Sequence, residues 1–353
     1  MQRLATPLAL LLAALTYLPL SAQIGGGDTY QFLLLPPSPR VTALGGTAIA
    51  IQDDDLSLAY QNPAALSSSI DNHLAFNIGF LPGGISNSYA AYGRHVDAWN
   101  TTFHISNQNI GYGDFDATDE FGNINGTFSA QENALTIGAA RQYSERLTFG
   151  ANVRLVSSRL ESYQSVGIAT DLAAMYRDTA SRFTATLVVQ QLGAQLTTYQ
   201  EERESLPLEI QFGISKRLKY LPFRFGITAI KLQQWNLIYD DPNLADTEGS
   251  IFDTPTEDSD LELFVGNVFR HLVFNGEFLF GARENFRLRF GYNHLRRRDL
   301  SVDRLRSLAG FSFGAGFKIN RFRVSYGYSS YHLAGGLHHL GIGLNIEDFY
   351  RKG

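Results

Sequence analysis

The side chains best suited to chemistry lie in a few short runs. Asp53-Asp54-Asp55 offers three adjacent carboxylates, hard oxygen donors of the kind that hold Ca²⁺. The triplet lacks the spacing of an EF-hand loop, and a structural turn is the preferred reading. His332, His338 and His339 are candidate Zn²⁺ ligands, but adjacent residues of a strand point to opposite faces, so His338 and His339 do not converge. Gly314-Ala315-Gly316 and Gly341-Ile342-Gly343 have a Gly-x-Gly form without the following helix that a phosphate loop needs. They read instead as positions kept small so that another part of the chain can approach. No Ser-His-Asp arrangement with a nucleophile elbow is visible. The chain contains 0 Cys, which removes thiolate metal sites, Cys nucleophiles and disulfide frameworks together. No catalytic residue, metal or cofactor is assigned, and an enzyme is not expected. Two charged runs remain. Asp240 to Asp260 carries eight carboxylates, including Asp240, Asp241, Asp246 and Glu248, and no Lys or Arg. The next polar segment carries Arg296, Arg297, Arg298, Arg304 and Arg306. Opposite charges on neighbouring loops can pair with each other or steer a partner. They can equally be solvated charge that meets anionic lipid headgroups. Asp240, Asp241, Asp246, Glu248, Arg296, Arg297 and Arg298 are the candidate partner-binding residues.

The elements that must position these groups begin with an export signal. A weakly basic start (Met1, Gln2, Arg3) precedes an apolar run from Leu8 to Leu20, with small residues after it at Ser21 and Ala22. This run is too short to cross a bilayer as a helix and reads as a signal peptide over residues 1–22. Residues 23–70 form a linker and a segment without strand alternation, rich in Pro and Gly, with an amphipathic stretch from Leu56 to Leu66. A net charge of -5 gives no general attraction to nucleic acid.

From residue 71 to 353 the texture changes to segments of about ten residues that alternate in polarity. Leu147, Phe149, Ala151, Val153 and Leu155 alternate with Arg146, Thr148, Gly150, Asn152 and Arg154. Phe286, Leu288, Phe290 and Tyr292 oppose Arg287, Arg289, Gly291 and Asn293, and Phe322, Val324, Tyr326 and Tyr328 oppose Arg323, Ser325, Gly327 and Ser329. Period two places each set on one face of a sheet, but a soluble sandwich alternates in the same way. Connection lengths separate the two. Every long connection (107–132, 192–207, 236–270, 295–306) falls on one side and the short ones fall on the other. Short periplasmic turns with long outer loops are the pattern of an outer-membrane barrel, all-β and antiparallel, of about 14 strands. Arg287, Arg289, Arg321 and Arg323 are expected to face the lumen. Tyr292, Tyr326, Tyr328 and Tyr331 are expected in an aromatic girdle. Residues 261–271 read as a helix or loop piece within an outer excursion, because an additional strand would break the sorting. So wide a barrel needs a filling, and residues 28 to about 70 are the candidate plug.

The run from Arg40 to Gly46, then Asp53-Asp54-Asp55, then Asn62-Pro63-Ala64 resembles the N-terminal hatch of the FadL-like outer-membrane proteins. The longer strings TYQFLLLPPSPRVTALGG and DDDLSLAYQNPAAL, with later ones such as Gly291-Tyr292-Asn293-His294, are similar to the PorV/PorQ branch of that family. The resemblance implies a hatch in which Gly45, Gly46, Asp53, Asp54, Asp55, Asn62, Pro63 and Ala64 are structural. It also implies a non-enzymatic role in type IX protein secretion and cargo attachment, in outer-membrane lipid, with PorZ, PorU and PorV as partners. Barrel and hatch alone equally support a FadL-like channel for hydrophobic small molecules.

Overall fold

The computed structural model describes residues 28–237, 260–281, 284–300, 308–332 and 335–350. The expected signal peptide and the candidates Asp240, Asp241, Asp246 and Glu248 lie outside the described residues. Fourteen strands form one closed antiparallel barrel. They are β1 (His73–Phe80), β2 (Ser86–Val96), β3 (Thr101–Thr118), β4 (Ile124–Gln142), β5 (Leu147–Leu160), β6 (Tyr163–Asp178) and β7 (Phe183–Thr197). Then follow β8 (Glu209–Arg217), β9 (Phe223–Ala229), β10 (Leu272–Phe280), β11 (Phe286–Asn293), β12 (Phe311–Ile319), β13 (Phe322–His332) and β14 (Gly335–Asn345). Each strand pairs with its sequence neighbours, and β1 closes on β14 from His73↔Asn345 to Phe80↔His338. Closure leaves no sheet edge, which is what hydrocarbon requires of a spanning sheet.

Alternation sets the register. On β5, Phe149, Val153 and Leu155 face outward while Thr148, Asn152 and Arg154 are buried inside. On β11, Leu288 and Phe290 face out and Arg287 and Arg289 face in. A slip of one residue would put those guanidinium groups in lipid, at about 2–4 kcal/mol each near the midplane. Arg321 departs from the expectation: it sits in the turn between β12 and β13, exposed, with its guanidinium 5.1 Å from the Phe349 ring. Tyr331 also departs. It turns into the lumen, where the Arg296 guanidinium lies 4.1 Å from its ring centre.

The end with short turns is called here the near end, and the opposite the outer end. At the outer end much of the expected loop 107–132 is strand instead. β3 stays paired with β4 out to Thr118↔Ile124, with irregularities after Gly111 and Ala117. β2 accompanies β3 only to Gly111, and β5 accompanies β4 only from Ala130. The hairpin between is a free two-stranded ribbon. Gly113, Gly122 and Gly126, all at positive φ, permit bulges and a turn within it. Asp119 closes the turn by accepting from the amides of Phe121 (2.9 Å) and Asn123 (2.8 Å), and Phe115 stacks on Phe128 at 5.3 Å. Two helices complete the outer end: α2 (Asp260–Arg270), where a helix or loop piece was expected, and α3 (His294–Asp299).

Residues 28–70 run inside the barrel as short turns, of which α1 (Pro39–Ala43) is one. Three of them are opened by a side-chain cap. Ser38 accepts from the Val41 amide (3.3 Å), Asp55 from Ser57 (3.1 Å) and Asn62 from Ala64 (2.9 Å). Turns of this length do not hold by themselves in water, so the wall must fix them.

Candidate functional site

The lumen wall is polar, and it grips the hatch by charge at two places. Arg40 is the first, and the chain around it is shaped to deliver it. Pro39 starts α1, and Gly45 and Gly46 end it with φ of 91° and 95°, a left-handed conformation that glycine adopts without strain. The Gly46 amide closes back on the Val41 carbonyl at 3.0 Å. Arg40, 1% exposed, donates to both oxygens of Asp53 (2.9 and 2.7 Å), to Asp55 (3.3 Å) and to Glu277 of β10 (2.9 Å). Glu277 also accepts from Arg289 Nε at 2.8 Å. Arg224 lies 3.4 Å from Asp53, Arg287 3.8 Å from both Asp53 and Asp54, and Arg323 pairs with Asp54. Burial would raise the Asp53 carboxyl, but Arg40, Arg224 and Arg287 outweigh it and hold it well below the usual carboxylate range. The acidic triplet is thus a guanidinium receptor, with arginines on the atoms that a cation would need.

The second grip is on the opposite wall. Arg154 of β5, fully buried, donates to Asp171 of β6 at 2.5 Å and to the Tyr60 carbonyl, with its guanidinium 4.0 Å from the Tyr60 ring centre. Asn152 donates to the Ala59 carbonyl at 3.0 Å and accepts a 2.9 Å contact from His104. Asn62 donates to the Ile49 carbonyl at 2.6 Å, tying two stretches of the hatch together. A buried ion pair contributes little net stability against an apolar equivalent, yet breaking one partner away is costly. The Arg40 cluster, and the contacts of Arg154 and Asn152 to Tyr60 and Ala59, therefore fix where the hatch sits.

Small residues supply the remaining fit. A Cβ on Gly291 would stand 2.2 Å from the Gly45 amide nitrogen, one on Gly327 2.1 Å from the Pro39 oxygen, and one on Gly150 2.5 Å from the Ala64 nitrogen. The Gly-x-Gly runs divide: Gly314 and Gly341 face Ala43 and Pro39, whereas Gly316 makes room for the Arg289 guanidinium and Gly343 is loosely surrounded. Of the adjacent histidines, His339 turns inward to Thr42 (3.0 Å) and His338 outward to Tyr326 (2.9 Å).

Among the arginine candidates, Arg296 points into the lumen, donating to Ser329 at 3.0 Å, so it does not present itself outward. Arg297 is half-buried and Arg298 exposed on α3. Outward of the hatch, a cavity of about 280 Å³ is bounded by Leu33, Gln61, Glu209, Lys231, Leu295 and Arg296. Sequence reading missed Arg40–Glu277 and Arg154–Asp171. The available signal was a lone carboxylate at an inward position of an alternating strand, which demands a buried cation.

Fold and lumen together define a transmembrane β-barrel plugged by its own N-terminal segment. No protein-family model matches the chain, and no curated protein matches it. Among solved structures it is similar to the Pseudomonas putida toluene transporter TodX, at 12% identity and a TM-score of 0.49, over 88% of this chain and 96% of that one. A Pseudomonas aeruginosa FadL homologue is similar at 10% identity and a TM-score of 0.49, over 88% and 98%. A mutant of the Rh. blastica porin aligns at 9% identity and a TM-score of 0.31, over 77% and 97%.

Proposed function

We propose that this protein is a non-enzymatic outer-membrane scaffold of the type IX secretion and cargo-attachment machinery, holding partner proteins at the surface of a Gram-negative cell. The observation that carries the scaffold part is the doubly fixed hatch: Arg40 ties it to Glu277 on one wall by a buried ion pair, and Arg154 on the other wall, itself held by Asp171, ties it through the Tyr60 carbonyl and ring. A plug so held suits a barrel that presents an outer face better than one that passes solutes. That face is built up from the β3–β4 ribbon, α2 and α3, a set of loops on a rigid support. The type IX part rests on the sequence similarity to the PorV/PorQ branch. Purification in mild detergent is expected to recover PorZ-, PorU- or PorV-like partners, and deletion of the gene to leave type IX cargo unattached. Deletion that changes only the uptake of hydrocarbons or fatty acids, with no partner recovered, would overturn the reading.

The second reading is a channel for hydrophobic small molecules. It is favoured by the cavity outward of the hatch, where Leu33, Leu34, Ile230, Leu295 and Leu300 supply apolar wall. The names of the similar solved structures suggest the same, but likeness at TM-scores below 0.5 does not decide it. The polar share of that cavity, with Gln61, Gln190, Glu209, Lys231 and Arg296, counts against a purely apolar ligand.

A further inference from the structure

Helix α2 is turned the wrong way round for a helix in water. The side it lays against the protein carries Asn267, whose side chain donates to the Trp235 carbonyl (2.6 Å) and accepts from the Leu237 amide (2.9 Å). The side it turns outward carries Leu261, Phe264, Val265 and Phe269. These follow the spacing of one helical stripe, and a water-facing stripe is normally polar. Trp235, itself exposed, lies tilted beside Phe264 with ring centres 5.9 Å apart and widens the apolar patch. Phe264 is 54% exposed, more than the lipid-facing Phe290 of β11 at 42%.

The position of the helix says what covers this face. After Arg270 only His271 separates it from β10, whose outward residues Phe274, Phe278 and Phe280 belong to the lipid-facing belt. β10 has nine residues, which at about 3.3 Å each and the usual tilt of about 40° rise about 23 Å along the membrane normal, close to the height of a ~25 Å apolar band. Its outer end, and therefore α2, lies at the outer rim of that band. Aromatic contacts run on from the helix to the belt: Phe269 to His294 at 5.8 Å, His294 to Tyr292 at 5.9 Å, and Tyr292 to Phe311 at 4.9 Å. We infer that α2 is an interfacial anchor, lying in the outer leaflet with Leu261, Phe264, Val265, Phe269 and Trp235 among the lipid chains and Asn267 holding the helix to the segment that follows β9. Amphipathic helices of this kind lie in the plane of the interface with the apolar side down. The anchor would fix the height and tilt of the outer face on that side of the barrel, whichever partner or solute the face serves.

The absence of native Cys makes the test clean. Phe264→Cys and Phe269→Cys are spin-labelled singly in the full-length protein reconstituted into phospholipid nanodiscs. Collision rates with oxygen, which concentrates in lipid, are compared with those for a water-soluble nickel chelate. Phe290→Cys serves as the lipid-facing control and Phe121→Cys, at the ribbon tip, as the water-facing one. The inference expects both helix labels to share the oxygen-rich, nickel-poor signature of Phe290→Cys. Labels that match Phe121→Cys would overturn it, as would labels shielded only when the protein is in whole cells, which would point to a protein partner on this face. If Phe290→Cys itself fails to show lipid exposure, the membrane barrel is at fault, and the two failures are told apart.

Discussion

Removing Arg40 should release the hatch while leaving the barrel intact. In Arg40→Met the side chain keeps its volume and loses its charge. Glu277, 1% exposed, would keep only Arg289 at 2.8 Å and Arg224 at 3.7 Å, and Asp53 would keep Arg224 at 3.4 Å and Arg287 at 3.8 Å. Stranding one side of a buried pair costs about 3–5 kcal/mol, and the lower end applies because other arginines stay near. A loss of about 3 kcal/mol confined to the hatch raises its open population by roughly 100-fold. Ser57→Cys, 3% exposed and close to isosteric, reports that population through its rate of reaction with a maleimide, since no other thiol competes. The rate should rise by about two orders of magnitude in Arg40→Met. Adding Asp53→Asn should recover part of it, because the carboxylate that Arg40 held by both oxygens then carries no charge, while Arg224 keeps Glu277 and Arg287 keeps Glu284. Unchanged labelling in Arg40→Met, or global unfolding in place of local opening, would refute the argument that this cluster locates the hatch.

Other expectations follow from the same contacts. Gly327→Val would drive side-chain atoms into the Pro39 oxygen, 2.1 Å from where the Cβ must stand, so the barrel should assemble with faster Ser57→Cys labelling. Because Asp53 has a depressed carboxyl, its contribution is present above the ordinary carboxylate range and is lost as the pH falls through its lowered folded value. Labelling expressed relative to that of a free thiol at the same pH, which removes the fall in thiolate, should therefore be flat from neutral pH down to about 4 and rise only in stronger acid. Phe290→Arg should reduce barrel stability by up to about 2–4 kcal/mol in a bilayer unfolding titration, whereas Phe121→Arg, at a ribbon tip 88% exposed, should change nothing. Phe115→Ala removes the stack on Phe128 and should cost about 0.5–1.5 kcal/mol, seen as faster proteolysis within 112–129 alone.

The barrel was legible because lipid imposes a strict code. A strand such as β11, with arginine at two successive inward places, Arg287 and Arg289, can have only one face in hydrocarbon. The sorting of turns was legible for the same reason, and the strand count follows from it. What escaped was set by pairs distant in sequence. Arg40 and Glu277 are separated by 237 positions, and no local pattern announces that an arginine in a Pro-rich segment meets a carboxylate on β10. The β3–β4 ribbon escaped because neither lipid nor core selects its side chains, so alternation fades while pairing continues. Tyr331 shows a related limit: an aromatic near a strand end serves a girdle or a lumenal cation equally well, and only the position of Arg296 decides.

Locking the hatch tests the central claim most directly. Cysteines placed at Ala50 and Gly213 would have Cβ atoms about 3.3 Å apart, close to disulfide reach. The locked protein would be produced in cells that lack the native chain, and attachment of type IX cargo at the surface measured. A static scaffold predicts that cargo attachment proceeds as with the unlocked protein. Loss of attachment on locking, restored by reduction, would contradict it, as would attachment that never depends on this protein while hydrocarbon uptake does.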